Sequence, residues 1–248
     1  MKRLLILILI FSLLSGGGYL FYLNKRIEGV WVLDYSTDND NSEFKSHGSG
    51  LWNVQNQKVY YHHLSSTENV QGSNYFDYGI NFQLEPDASE NGLSFKVNQV
   101  KGDSIVLLIT GAVKRKIVLK KIADTLKNNS DWKKKLSGKA FEFKISNSVK
   151  FSEFAKFPKS KDTIYFDSQF IMRKNQAFNI PNWESPSWSL AKIEGFDIMF
   201  AHNWPTLILT ENTDGIVFYG YDINGEIFKC ELNEIQINLL EFKKKIRF

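Results

Sequence analysis

The 248-residue sequence has a single cysteine, Cys230. No internal disulfide framework can be built from it, nor a zinc or iron–sulfur site of several thiolates. Strong net charge of one sign is also missing: 31 Lys and Arg stand against 27 Asp and Glu, a balance of +4. That excess is too small to mark a nucleic-acid surface by itself. The sequence lacks a Gly-x-Ser-x-Gly elbow, a P-loop and a His-Glu-x-x-His pair. Those are the short motifs whose spacing places a nucleophile, a phosphate cradle or a zinc ion. What is abundant argues against disorder. Apolar residues make up 43% and aromatics 15%, with 23% charged, enough to bury a core. The length fits one or two domains.

The first 26 residues stand apart. Lys2 and Arg3 precede a charge-free run that begins at Leu4 and ends at Leu23, and Asn24, Lys25 and Arg26 follow. A helix rising 1.5 Å per residue needs about 20 apolar residues to cross a bilayer. Three readings are open. An uncleaved signal anchor, N-terminus inside, accounts for the apolar residues after position 18 and for Tyr19 and Tyr22, which suit a membrane interface. A cleaved signal peptide would use the apolar stretch 4–14, with Ser15 and Gly17 before the cleavage point. A buried core helix is the third, although globular helices are seldom apolar on every face. The first two place the rest of the chain outside the cytoplasm, on the periplasmic or cell-surface side, or secreted.

Charge is unevenly placed along that remainder. Residues 27–112 hold 4 basic and 11 acidic side chains, residues 113–139 hold 10 and 2, and residues 140–248 hold 13 and 14. The basic middle segment reads either as a contact for anionic lipid or an acidic partner, or as a solvated face balanced by the acidic first part.

Short runs rich in Val, Ile, Phe and Tyr recur between polar turns, the grammar of β-strands. The runs 29–35, 58–63, 78–84, 93–97, 104–110 and 116–120 are predicted strands. Asn91-Gly92, Lys101-Gly102-Asp103, Asp214-Gly215 and Asn224-Gly225 are turns. Asn224-Gly225 suits a two-residue type I′ hairpin.

The sequence also matches itself at a shift of about 110 residues. Asp103-Ser104-Ile105-Val106 meets Asp214-Gly215-Ile216-Val217, and Lys116-Ile117-Val118 meets Glu226-Ile227-Phe228. Trp132-Lys133-Lys134-Lys135-Leu136 meets Phe242-Lys243-Lys244-Lys245-Ile246, and Ile27-Glu28-Gly29 meets Leu136-Ser137-Gly138. The common order points to a tandem duplication. Each copy would be seven or eight strands with a helical tail. In 232–246, Leu232, Ile235, Leu239, Phe242 and Ile246 are spaced as an amphipathic helix, with Asn233 as cap. A shorter helix is expected after Ser130 as cap.

The first copy opens with Ile27-Glu28-Gly29-Val30-Trp31-Val32-Leu33. A Gly-x-Trp heading the first strand, followed by antiparallel strands and a terminal helix, resembles the lipocalin-like (calycin) domains. In the second copy Gly138-Lys139-Ala140 lacks the tryptophan, and Phe76-Asp77-Tyr78 stands in place of a Thr-Asp-Tyr motif. The resemblance implies an up-and-down barrel whose mouth could take an apolar ligand, and no catalytic residues.

The expected fold is therefore mainly β: an N-terminal transmembrane or signal helix (1–26), then two tandem antiparallel β-barrel or β-sandwich domains of about 100 residues. Their bounds are 27–121 and 136–248, joined by a basic connector, 122–135, each domain followed by a short helix.

Chemistry-bearing residues are sparse. His62 and His63 are adjacent on one predicted strand and point to opposite faces; His47 and His202 are far apart in sequence. No metal site is expected. Asp38-Asn39-Asp40-Asn41-Ser42-Glu43 begins like a calcium loop, but Glu43 holds the glycine position and Ser49 the final acidic one. Trp183, Trp188 and Trp204 cluster with Pro181, Pro186 and Pro205. They read either as a stacking platform for a ligand or partner, or as cover for a barrel end. The expected function is that of an envelope-anchored, non-enzymatic binding or interaction protein, taking an apolar ligand or an envelope protein. Its partners would be the membrane, through the N-terminal helix, and that ligand or protein, with no nucleic acid and no cofactor. The alternatives are an envelope hydrolase acting on lipid or glycan and a purely structural or inhibitory partner protein.

Overall fold

A computed structural model describes residues 2–38, 50–55, 58–63, 66–73, 81–84, 94–110, 115–146, 149–151, 157–168, 170–173, 187–213, 215–222, 224–239 and 242. Helix α1 (Lys2–Ile27) leads into a closed antiparallel barrel of eight strands. These are β1 (Gly29–Asp38), β2 (Gly50–Gln55), β3 (Lys58–His63), β4 (Ser66–Ser73), β5 (Asn81–Leu84), β6 (Ser94–Lys101), β7 (Ser104–Thr110) and β8 (Arg115–Lys121). Each strand pairs with the next, and β8 returns to β1, with Val32 opposite Lys120. The mainly β architecture and one calycin-like barrel are thus present.

A 3-10 turn (Asp124–Leu126) and the five-residue helix α2 (Trp132–Leu136) connect to a second eight-stranded antiparallel sheet. Its strands are β9 (Lys139–Ile145), β10 (Thr163–Phe166), β11 (Ile171–Arg173), β12 (Trp188–Ile193), β13 (Phe196–Ala201), β14 (Leu207–Asn212), β15 (Gly215–Tyr221) and β16 (Ile227–Ile235). The first strand again pairs with the last, Phe143 opposite Leu232. This sheet is not closed. β11 and β12 are its edges, and among the described residues the isolated bridge Phe170↔Ser187, just outside both strands, is what links them. The expectation of two barrels is corrected to one barrel and one open sheet.

Side-chain alternation builds three layers of core. In β1, Trp31 faces inward, with Trp52, Val54, Ile105, Leu107, Ile117 and Leu119. Ile27, the last residue of α1, is fully buried among them, and its carbonyl accepts from Trp31 Nε1 at 2.9 Å. The neighbours Val30 and Val32 point the other way and pack with Leu51 against Ile193, Ile198, Phe200, Ile208 and Tyr221 of the second sheet. This seam joins the outer wall of the barrel to the outer face of β12–β15. The opposite face of the second sheet buries an aromatic core: Phe141, Phe143, Phe157, Phe166, Phe218 and Phe228 with Trp132, Trp188 and Trp204.

Several expectations change. Among the described residues no helix is long and apolar enough to cross a membrane. Ser12, Ser15 and three glycines interrupt the apolar residues of α1. The N-terminal transmembrane or signal helix, the envelope anchor, the membrane as a partner and the membrane-anchored placement are withdrawn.

The amphipathic tail begins later than its periodicity predicts. Leu232, Asn233 and Ile235 belong to β16, where Asn233 lies opposite Glu142, so Asn233 caps nothing. Among the described residues helical geometry begins at Leu239, and Phe242 N donates to Asn238 O at 2.8 Å. At α2 the cap is Asp131, whose carboxylate accepts from Lys134 N at 3.2 Å, and not Ser130. The Asn224-Gly225 hairpin has a three-residue loop instead of a two-residue one. Asp222 N donates to Glu226 O, and the Asp222 carboxylate accepts from the amides of Asn224 and Glu226. That Asx arrangement favours a type I turn followed by a left-handed glycine, and Gly225 has φ 73°.

Candidate functional site

The seam opens to solvent at the end of the barrel where the chain enters and leaves it. A cleft of about 450 Å³ lies there, within the range of small-ligand sites. Glu28, Gly29 and Val30 supply the start of β1, Val54 and Gln55 the end of β2, and Lys121 the end of β8. The connector adds Ile122, Asp124 and Lys127, and the second sheet adds Glu194 and Phe196.

Backbone bonds hold these segments together. Ile122 N donates to Val30 O at 2.9 Å, returning the connector to β1. Asn128 N donates to Gly195 O at 3.0 Å, tying the connector to the β12–β13 turn. The Tyr221 hydroxyl donates to Lys121 O at 3.1 Å across the seam.

Lys121 is placed by its surroundings. Its half-buried ammonium donates to Glu28 O at 2.8 Å and sits 5.6 Å from the centre of the Trp31 ring. Gly29 makes this possible. Its φ is 134°, and a Cβ there would stand 2.7 Å from Lys121 Cε, closer than van der Waals radii allow. Among the described residues Lys121 makes no ion pair. Lys127 is different: it pairs with Asp124 at 2.7 Å and lies over Phe196 at 5.3 Å. The Lys127 hydrogen bond and charge, with a smaller contribution from Lys121, hold the Asp124 carboxyl below the usual range.

The turn that carries Glu194 is unusual. Glu194 and Gly195 form a two-residue hairpin loop between Ile193 and Phe196, with φ of 51° and 84°. Two positive φ values describe a type I′ turn, which normally selects Asn-Gly. A glutamate in the left-handed region costs roughly 1 kcal/mol or more. The cleft thus offers ammonium groups, carboxylates, one amide and an aromatic edge. Among the described residues its lining contains no hydroxyl, thiol or imidazole, and its lysines and carboxylates can pair with charges of opposite sign.

The tryptophans singled out in the sequence lie elsewhere. Trp188 is 8% exposed, packs edge-on to Phe166, and donates from Nε1 to Asp167 O at 2.9 Å. Trp204 is 2% exposed, packed on Phe143 and Phe157, with a buried Nε1 that has no hydrogen-bond partner. Trp183 lies outside the described residues, as do His47 and most of the calcium-like loop after Asp38. His62 is half-buried, and burial lowers its pKa; His202 is exposed. Among the described residues no three His, Cys, Asp or Glu side chains gather as for a metal. Burial pushes the Cys230 thiol up, away from the reactive thiolate.

Four lysines of the basic segment, Lys120, Lys127, Lys135 and Lys139, are in ion pairs. Lys120 meets Asp103 at 3.6 Å, Lys139 meets Glu234 at 2.7 Å, and Lys135 pairs with Glu211. Its acids come from both sheets and not from the first copy alone. The segment's excess of lysine was the one signal in the sequence pointing toward Lys121 and Lys127. Glu28, Glu194 and Phe196 carried none. Comparison of the chain with known protein families, with characterised proteins and with solved structures gives no match.

Proposed function

We propose that the protein is a binding protein that takes a small polar ligand in the seam cleft, with the barrel and second sheet acting as one rigid body. The observation that carries this reading is the convergence of three chain segments, each bringing charged side chains, on one cleft of about 450 Å³. Interior sites are less favoured. The described part of the barrel interior is filled by Ile27, Trp31 and Trp52, and the interior of the second sheet by interlocking rings. The test is a screen of small polar fragments against the isotope-labelled protein by amide NMR. Shifts concentrated at Gly29, Gln55 and Gly195 are expected, and Gln55→Trp, which fills the cleft lip, abolishes them. Shifts confined to other surfaces would overturn the reading.

The second sheet is further proposed to be a copy of the barrel's eight-stranded unit. Both are meanders whose first strand pairs with the last, and a positive-φ glycine, Gly29 or Gly138, precedes or opens the first strand of each. A crystal structure in which the sheets do not superpose strand for strand would remove this.

A further inference from the structure

We infer that the cleft recognises a small zwitterion, a molecule with an anionic group at one end and an ammonium at the other. The inference rests on the cleft being a ligand site and names the class of ligand. Two observations on opposite walls carry it. On the barrel side, Lys121 is a half-buried cation whose only described polar partner is a backbone carbonyl. An ammonium has three donors; the carbonyl takes one, and the Trp31 ring and the more distant Asp124 carboxylate offset the charge only in part. Moving a charge partly out of water is unfavourable unless an opposite charge meets it, so the position suits an arriving carboxylate or similar anion. On the second-sheet side, Glu194 makes no described ion pair. It is held at φ 51° where the turn prefers asparagine. Backbone strain retained at a cleft lip is a mark of a side chain kept for its chemistry.

The other charges of the cleft do not compete equally. Asp124 and Lys127 pair with one another at 2.7 Å, and Glu28, on the barrel side, has a partner of its own. A ligand with only an anionic group would satisfy Lys121 but face the carboxylate of Glu194. A ligand with only an ammonium would reverse the difficulty. A zwitterion answers both, and Val30 and Phe196 give the lining an apolar part that suits a short aliphatic spacer.

The experiment titrates the full chain with linear ω-amino acids from glycine to 6-aminohexanoate, and with the carboxylate and the alkylamine of each length. The amide shifts of Gly29 and Gly195 report binding. One spacer length is expected to bind about tenfold or more tightly than either monofunctional partner, the factor one added ion pair of about 1.4 kcal/mol supplies. Lys121→Met and Glu194→Gln are each expected to reduce it to the monofunctional level. Glu194→Asn is expected to raise the melting temperature while losing the same affinity, which separates recognition from fold. Equal binding of amines, carboxylates and amino acids, or variants that bind as the parent does, would overturn the inference. So would a cleft that answers other polar fragments but no amino acid, a result that leaves the ligand site standing. If no fragment moves either amide, both the inference and the ligand site fail.

Discussion

In the barrel, β3 runs beside β4 with Tyr60 opposite Gln71 and Tyr61 opposite Val70. In the second sheet the third and fourth strands, β11 and β12, are linked among the described residues only by the adjoining Phe170↔Ser187 bridge. The two cores differ in the same sense. The described barrel core is two tryptophans among Val, Ile and Leu. The core of the open sheet is a chain of ring contacts, with Phe143 6.0 Å from Phe157, 6.1 Å from Trp204 and 6.1 Å from Phe218. A net backbone hydrogen bond contributes about 0.5–1.5 kcal/mol, and an aromatic pair about as much beyond its buried area. A few ring pairs therefore offset a missing ladder. The Trp188 Nε1 bond to Asp167 O then pins the edge the ladder would have held. Closure by backbone and closure by packing are exchangeable on one meander.

The sharpest way to break that comparison is to remove a ring from the open sheet. Phe143→Ala is expected to cost about 3–5 kcal/mol, against about 2–5 for Leu107→Ala in the barrel. Denaturant titration of both variants checks this, and an equal or larger loss in the barrel would deny the second core its compensating role. Next comes the seam. Ile208 is fully buried there, and Ile208→Ala is expected to cost about 2–5 kcal/mol and to raise amide exchange in both sheets together. Exchange confined to the second sheet would make the sheets independent. A smaller loss follows from the connector. Trp132 Nε1 donates to the buried Asp197 carboxylate at 2.8 Å, and Trp132→Phe is expected to cost about 1.5–3 kcal/mol, read as a shift in denaturation midpoint.

The smallest effect is in pH. Burial lowers the pKa of His62 from its ordinary 6.5, so the folded state favours the neutral ring. The stability this contributes is present above the unfolded value and is lost as pH falls below it through the lowered one. Acidification should weaken the barrel, and His62→Gln should flatten that dependence in melting curves taken across pH.

Much of the barrel was legible. The strands at 58–63 and 104–110 were placed to the residue because their β-branched and aromatic runs end at clear turns. β2 was missed because GLWNVQ is buried on both faces up to its last residue. Trp52 looks into the barrel and Leu51 into the seam, so no polar alternation remains to be seen. β4, STENVQGS, was missed for the opposite reason: only Thr67 and Val70 in it favour a strand. Leu232 and Ile235 kept a helical spacing, but pairing with β9 overrode it. The cleft was nearly invisible. Its two sides meet through contacts such as Tyr221 to Lys121, 100 residues apart, and no local spacing encodes that. Only the excess of lysine between residues 113 and 139 pointed toward it.

The seam also carries a cost in time. Domains begin to fold as they emerge, the N-terminal part first, at about 5–20 residues per second. The barrel has all its strands once Lys121 is made, but Tyr221, whose ring completes the seam, lies 100 residues later. For roughly 5–20 seconds a finished barrel presents Val30, Val32 and Leu51 with nothing to cover them. That interval, and not the stability of either sheet, is when the growing chain is most exposed to sticking to its neighbours.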